Sequence, residues 1–225
     1  MEPNAVEELV RTIAISALPV IFAITLHEAA HGYVARYFGD TTAARMGRIS
    51  LNPIRHIDLV GTIIVPLSIL LLGNLVGGVN ILFGWAKPVP VNFAALRSPK
   101  ADMLWVALAG PAANLFMALA WALALKVAIV APQNFFSYPL KEMAAIGIQI
   151  NIVLMVLNLL PIPPLDGGRV AVSLLPMKLA VPFARLEPYG FPILLALIVS
   201  NLLGIILNPP VSASISLINT LFKLF

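Results

Sequence analysis

Leu26-His27-Glu28-Ala29-Ala30-His31-Gly32 lies inside a run, Thr12 to Ala35, whose only charge-bearing side chains are the two histidines and the glutamate. The flanks are apolar, and as a helix the run is long enough to cross the roughly 30 Å hydrocarbon layer of a bilayer. A helix is therefore expected at about 6–38, ended by Gly39-Asp40. Three ionisable groups within one turn of such a helix are costly in lipid, and groups of this kind mark functional sites.

The rest of the chain agrees with a lipid solvent. Of its 225 residues, 60% are hydrophobic and 11% charged, with a mean hydropathy of +0.96. Soluble domains carry about 25% charged residues, so a water-soluble globule and a disordered chain are both excluded. The net charge of +4 fits basic loops facing the cytoplasm rather than nucleic-acid binding. With no cysteine, there are no disulfides and no thiolate ligands, so any metal site must use His, Asp or Glu. The amino terminus is a poor secretory signal, because Glu2, Glu7 and Glu8 outnumber Arg11.

Charges and prolines mark the other boundaries. Residues 40–58 hold Arg45, Arg48, Arg55 and His56, a strongly basic loop. Residues 59–86 are uncharged but interrupted by Gly73, Asn74, Gly77 and Gly78. A basic, proline-rich connector follows, from Lys87 to Lys100. Spanning helices are expected at about 102–130 and at 143–165, joined by a polar connector at 131–142. Residues 170–186 suit a short or interfacial helix. A last span is expected at 188–208, ended by Asn208-Pro209-Pro210, with 211–225 as an apolar tail. All of this reads as one membrane domain, 1–225: an all-α polytopic bundle with re-entrant or extended segments around its site.

On a helix, positions i and i+4 share a face, so His27 and His31 can grip one metal ion. Glu28 sits beside that face, where a carboxylate can activate water at the metal. A catalytic zinc usually takes three protein ligands. Asp166, in Asn158-Leu-Leu-Pro161-Ile-Pro-Pro164-Leu-Asp166-Gly-Gly168, is one candidate for the third. The prolines break the helix and the glycines permit a tight turn after the carboxylate. His56 is the rival, although its polar loop suits a hydrogen-bonded histidine. Asn114, after Gly110-Pro111, suits an interhelical hydrogen bond. Asn158 precedes Asp166 by eight residues, about two helical turns, where an amide can serve a developing oxyanion or simply cap freed backbone.

Taken together, His27-Glu28-xx-His31, Ala109-Gly110-Pro111-xx-Asn114 and Asn158-xx-Pro161-xxxx-Asp166-Gly167 resemble the site-2 protease family of intramembrane zinc metalloproteases, peptidase family M50. Gly47 to Pro53, Phe83 to Asn92 and Leu186 to Gly190 look like its small prokaryotic branch, which lacks PDZ and CBS modules. The resemblance implies His27, His31 and Asp166 as ligands of one Zn²⁺, Glu28 as general base, and Asn114 and Asn158 as polar catalytic helpers. It also implies a transmembrane protein or peptide as substrate, cleaved by regulated intramembrane proteolysis in a prokaryotic plasma membrane. A membrane ion carrier using the same ionisable cluster is the rival reading. It has no need for a base beside two ligands. A protease-like scaffold without hydrolysis would show a lost Glu or ligand, and none is lost.

The basic loop after the first helix belongs in the cytoplasm, so that helix runs from outside to inside. The 143–165 helix must run the same way to bring Asp166 to the same depth. An even number of crossings must then separate the two, which makes 59–86 a segment that enters and returns, turning between Gly73 and Gly78. Single cysteines introduced near Arg48, Asn80 and Lys87 should therefore label from the cytoplasmic side, and one near Gln133 from the outside. Outside labelling near Lys87 would make 59–86 an ordinary span.

Overall fold

The structure is a computed structural model that describes residues 5–64, 86–132 and 134–224. It is helical throughout, with no strand among the described residues. The helices are α1 (Ala5–Tyr37), α2 (Thr42–Arg45), α3 (Pro99–Val130), α4 (Ser137–Asn158), α5 (Asp166–Leu174), α6 (Met177–Ala184), α7 (Gly190–Val199) and α8 (Leu202–Phe222). Among the described residues, five stretches are long and apolar enough to cross a membrane: 10–37, 99–130, 137–158, 177–199 and 202–222. The protein is thus an integral, polytopic helical membrane protein.

The centre of the bundle is α1, α3 and α4. At 33 residues α1 is about 50 Å long, enough to span lipid and project beyond it. The α3–α4 seam uses positions four and three or four apart: Ala118, Ala122 and Leu125 face Ala144, Ile148, Ile152 and Val156, with Ile218 of α8 closing one side. Lipid tails are as apolar as leucine, so the seam gains from close packing rather than from escaping water. Gly147 shows how close: a Cβ there would fall within 2.6 Å of the Trp121 ring. A second, smaller cluster of Ala35, Leu96 and Val106 fastens the end of α1 to α3. Pro99 opens α3 at a position where no amide is needed, and Asp102 Oδ2 reaches back to accept the Ser98 N–H at 2.7 Å.

Several sequence expectations are corrected. The helix expected at 143–165 begins at Ser137 and ends at Asn158. Residues 159–165 form an irregular loop with a cis Pro163–Pro164 bond, and Asp166 is the first residue of α5. The physical reason is the prolines. Pro161 bars the helix from continuing, while an apolar charge-free sequence reads the same whether helical or looped. The loop also carries little hydrogen-bonding debt, since three of its seven residues have no N–H. Ile162 and Leu165 donate to Leu160 and Ile162 carbonyls.

The expected 188–208 span is likewise broken. Asn201 adopts a left-handed conformation (φ 59°) between α7 and α8. The helix then runs straight through Pro209-Pro210, and residues 211–222 are its second half. The 170–186 stretch is two short helices, α5 and α6, split at Leu175-Pro176. Of the re-entrant reading of 59–86, only Leu59–Ile64, a widened helical turn, and Ala86 are described. The proposed turn at Gly73–Gly78 lies outside the described residues.

The segment 86–92 is extended and lies along the end of α1. Its prolines, Pro88 and Pro90, have no amide. Three of its amides are matched: Lys87 N–H to the His56 carbonyl at 2.9 Å, Val89 N–H to Glu28 Oε2 at 2.7 Å and Asn92 N–H to Asp40 Oδ2 at 2.7 Å. Arg48 clamps the Lys87 and Pro88 carbonyls. Burial works against the charge of Asp40, but the Thr42 hydroxyl and the Thr42 and Asn92 amides outweigh it and hold this carboxyl below its ordinary range.

Because Gly147 packs directly on Trp121, Gly147→Val should overfill the seam and destabilise the protein by about 1–3 kcal/mol. Thermal unfolding in detergent measures this. A double variant that also truncates Trp121 should recover part of the loss.

Candidate metal centre

Helix α1 presents His27 and His31 on one face, both 8% exposed, with their rings nearly perpendicular. Their Nε2 atoms are 3.1 Å apart. Asp166 Oδ2 lies 3.2 Å from His27 Nε2 and 3.3 Å from His31 Nε2. These three residues form a group able to hold one metal ion.

The surroundings decide which ring nitrogens carry protons. His31 Nδ1 lies 2.7 Å from the Val106 carbonyl, which only accepts, so Nδ1 is the donor. His27 Nδ1 lies 2.6 Å from Asn114 Oδ1 and is a donor for the same reason. Each neutral ring then has a bare lone pair on Nε2. Asp166 Oδ2, equally buried, has no hydrogen-bond donor. With both rings neutral, three electron pairs converge at one buried point, which is unfavourable unless a proton or a metal cation sits there. The separations suit zinc: ligands at about 2.0–2.1 Å from a tetrahedral ion are about 3.3–3.4 Å from one another.

Glycines make the approach possible. A Cβ on Gly110 of α3 would strike both imidazoles, with His27 Nε2 at 2.6 Å. Only a bare backbone lets α3 lie across the ligand rings. At the other side, a Cβ on Gly167 would strike the Leu159 and Leu160 carbonyls, and one on Gly168 would come within 2.5 Å of Pro163 N. The Gly-Gly pair therefore tucks the start of α5 beneath the 159–164 loop and turns Asp166 onto the histidines. An apolar groove of about 620 Å³ flanks Pro111, walled by Val34, Trp105, Leu115 and Met155.

The remaining candidates are distributed around this centre. Glu28 is partly buried and outside the ligand triangle, its Oε2 held by Val89 N–H. Asn114, fully buried, holds His27. Asn158 ends α4 and donates to Leu154 O at 3.0 Å, within its own helix. The helical path that would have put it two turns from Asp166 is interrupted at 159–165. His56 is buried in its loop with Nε2 2.8 Å from the Ser50 carbonyl, and it is not part of the metal-binding group. Sequence reasoning missed Asn151, which is fully buried and 3.0 Å from Asn114. The available signal was an amide in the middle of an apolar run, where polar side chains are expensive. The Val89 amide on Glu28 left no signal in side-chain identity at all.

Residues 123–200 match the family model described as Peptidase family M50. The chain is 38% identical over 209 residues to the inferred zinc metalloprotease YwhC of Bacillus subtilis, covering 92% of this chain and 90% of that protein. It is 30% identical over 184 residues to the inferred zinc metalloprotease Rip2 of Mycolicibacterium smegmatis, covering 82% of this chain and 66% of that one. Rip2 of Mycobacterium tuberculosis is 28% identical over 153 residues, 65% of this chain and 52% of the relative. No solved structure gives a significant match.

Purified protein should hold about one zinc per chain by elemental analysis. His27→Ala, His31→Ala and Asp166→Ala should each lose it, and His56→Ala should keep it. Normal zinc in Asp166→Ala with loss in His56→Ala would reverse the choice of third ligand.

Proposed function

The chain belongs to peptidase family M50 and is a membrane zinc metallopeptidase, and from that premise we propose that it hydrolyses peptide bonds in or beside the transmembrane helices of other membrane proteins. The observation that carries this reading is the His27–His31–Asp166 triangle, built by helices that are themselves apolar enough to span a bilayer. Residues 1–225 act as one unit in regulated intramembrane proteolysis. The membrane is the plasma membrane of a prokaryote, with the site toward the cytoplasm. The cluster of Arg36, Arg45, Arg48, Arg55, Lys87 and Arg97 near the end of α1 supports that orientation.

His27, His31 and Asp166 are the ligands in this reading. Zinc bound there supplies a Lewis acid that polarises the scissile carbonyl and acidifies water to a pKa of about 7. Glu28 accepts the proton of the attacking water and returns it to the departing amine. Its carboxylate has two oxygens, and Val89 N–H occupies Oε2. That contact holds the side chain in one rotamer while the other oxygen remains for proton transfer. Asn114 serves as a polar helper by orienting His27. Asn158 serves by steadying the end of α4 ahead of the loop that delivers Asp166. The substrate arrives as a membrane helix, whose peptide groups are hydrogen-bonded to one another and dry. Cleavage requires that helix to unwind locally.

The test is cleavage of a membrane-peptide series in liposomes. Glu28→Gln should keep its zinc and lose turnover by about 10²–10⁴-fold, since it removes a base and no ligand. Gly, Pro or Asn near the cleaved bond should speed wild-type cleavage, and Leu or Ala there should slow it. Near-normal turnover in Glu28→Gln overturns the mechanism. Efficient digestion of soluble casein, with equal rates across the helix series, overturns the substrate class.

A further inference from the structure

Two buried amides stand behind one of the histidines, and their hydrogen bonds have a direction. Asn151 of α4 and Asn114 of α3 are both 0% exposed. Asn151 Nδ2 donates to the Gly147 carbonyl at 2.8 Å. Asn151 Oδ1 is thereby turned to accept from Asn114 Nδ2 at 3.0 Å. The second hydrogen on Asn114 Nδ2 goes to the Ala23 carbonyl of α1 at 3.1 Å. Asn114 Oδ1 is left facing His27 Nδ1 at 2.6 Å.

Main-chain carbonyls cannot donate, so Gly147 and Ala23 anchor the sequence of bonds at both amides. Rotating Asn114 by 180° would set its oxygen against two acceptors, Ala23 O and Asn151 Oδ1. It would also aim its N–H groups at His27 Nδ1, leaving that nitrogen free to lose its proton to Nε2. Rotating Asn151 would set oxygen against oxygen at Gly147. Each flip strands buried polar groups at about 1–3 kcal/mol apiece. His31 needs no such device, because its Nδ1 faces the Val106 main-chain carbonyl, which cannot reverse.

We propose that Asn151 and Asn114 act in series as positioning residues: Asn151 fixes which end of the Asn114 amide meets His27, and Asn114 thereby locks His27 in the Nδ1–H tautomer with Nε2 bare toward the metal. This rests on the reading of His27 as a zinc ligand. Asn151 acts only through Asn114. The competing account is that the pair merely glues α1, α3 and α4 together, as interhelical amides do.

The experiment uses full-length protein in detergent with ¹⁵N-labelled imidazole rings. Three histidines, His27, His31 and His56, give a spectrum simple enough to assign. In zinc-loaded wild type, His27 should show a protonated Nδ1 and no proton on Nε2. Asn151→Leu removes one of the two acceptors that fix the Asn114 amide, leaving the Ala23 carbonyl alone and making rotation less costly. The His27 Nδ1–H signal should then weaken, and zinc affinity by chelator competition should fall by about 10-fold, the low end for groups that orient a ligand. Asn151→Ala provides the same comparison if the leucine variant does not fold. The decisive variant is Asn151→Thr. A hydroxyl can donate to the Gly147 carbonyl and accept from Asn114 Nδ2 as the amide does, so both the Nδ1–H signal and the affinity should stay near wild type.

A wild-type tautomer and affinity in Asn151→Leu and Asn151→Ala would overturn the proposal. So would a loss in Asn151→Thr as large as that in Asn151→Leu, since the hydroxyl keeps the acceptor that the proposal requires. The His27→Ala control separates the two levels of inference. Undiminished zinc affinity there would remove His27 as a ligand, and the proposed lock with it, whatever the tautomer spectrum shows.

Discussion

Three lone pairs pointing at one another inside a membrane helix bundle are the constraint around which this protein is arranged. His27 Nε2, His31 Nε2 and Asp166 Oδ2 approach within 3.1–3.3 Å, and with both rings neutral their lone pairs repel one another. Every neighbouring element serves that convergence. Helix α1 sets the two rings one turn apart, and α3 thins to a glycine where it crosses them. The Val106 carbonyl and the Asn114 amide draw the ring protons to the far side. The start of α5 carries the carboxylate in from a loop folded back on itself. A cation of suitable size turns the same arrangement from costly to stable, and binding then adds directly to folding.

The second constraint is the solvent. In hydrocarbon an unpaired backbone amide has nothing to bond with, so irregular backbone is tolerated only when its polar groups are matched. The two non-helical segments near the site meet this by proline. Residues 159–165 contain Pro161, Pro163 and Pro164, and residues 86–92 contain Pro88 and Pro90. Each removes a donor that would otherwise need a partner. In the first, the remaining donors go to nearby carbonyls; in the second, Lys87, Val89 and Asn92 donate to the His56 carbonyl, Glu28 and Asp40. The Glu28 carboxylate therefore has a structural tie to the segment beside it as well as its place next to the ligand face.

Most of the fold and the metal-binding group were legible in the sequence, for identifiable reasons. Charges are so scarce that they outline the membrane runs, and α1 and α3 fall within a few residues of their expected bounds. The i, i+4 spacing of His27 and His31 is a geometric statement in itself, and Asp166 stands out as an ionisable group closing a long apolar run. What hydropathy cannot convey is the path of an apolar chain. Leu159 to Leu165 are as greasy as a helix, so the end of α4 was misplaced by seven residues. Pro209-Pro210 looked like a terminus, yet the true break is Asn201, whose left-handed backbone has no compositional mark. Asn151 is one amide among several, and its importance lies in what faces it from α3.

Order of synthesis gives the loop at 159–165 a further significance. His27 leaves the ribosome 139 residues before Asp166, a delay of roughly 7–28 s at about 5–20 residues per second. In that interval α1 and α3 enter the bilayer with His27 and His31 in place and Asp166 still to come. The carboxylate arrives only after α4 has crossed and the chain has doubled back through its prolines. The group that could hold the metal is thus completed only after α1, α3 and α4 have been made, with α6, α7 and α8 still to follow.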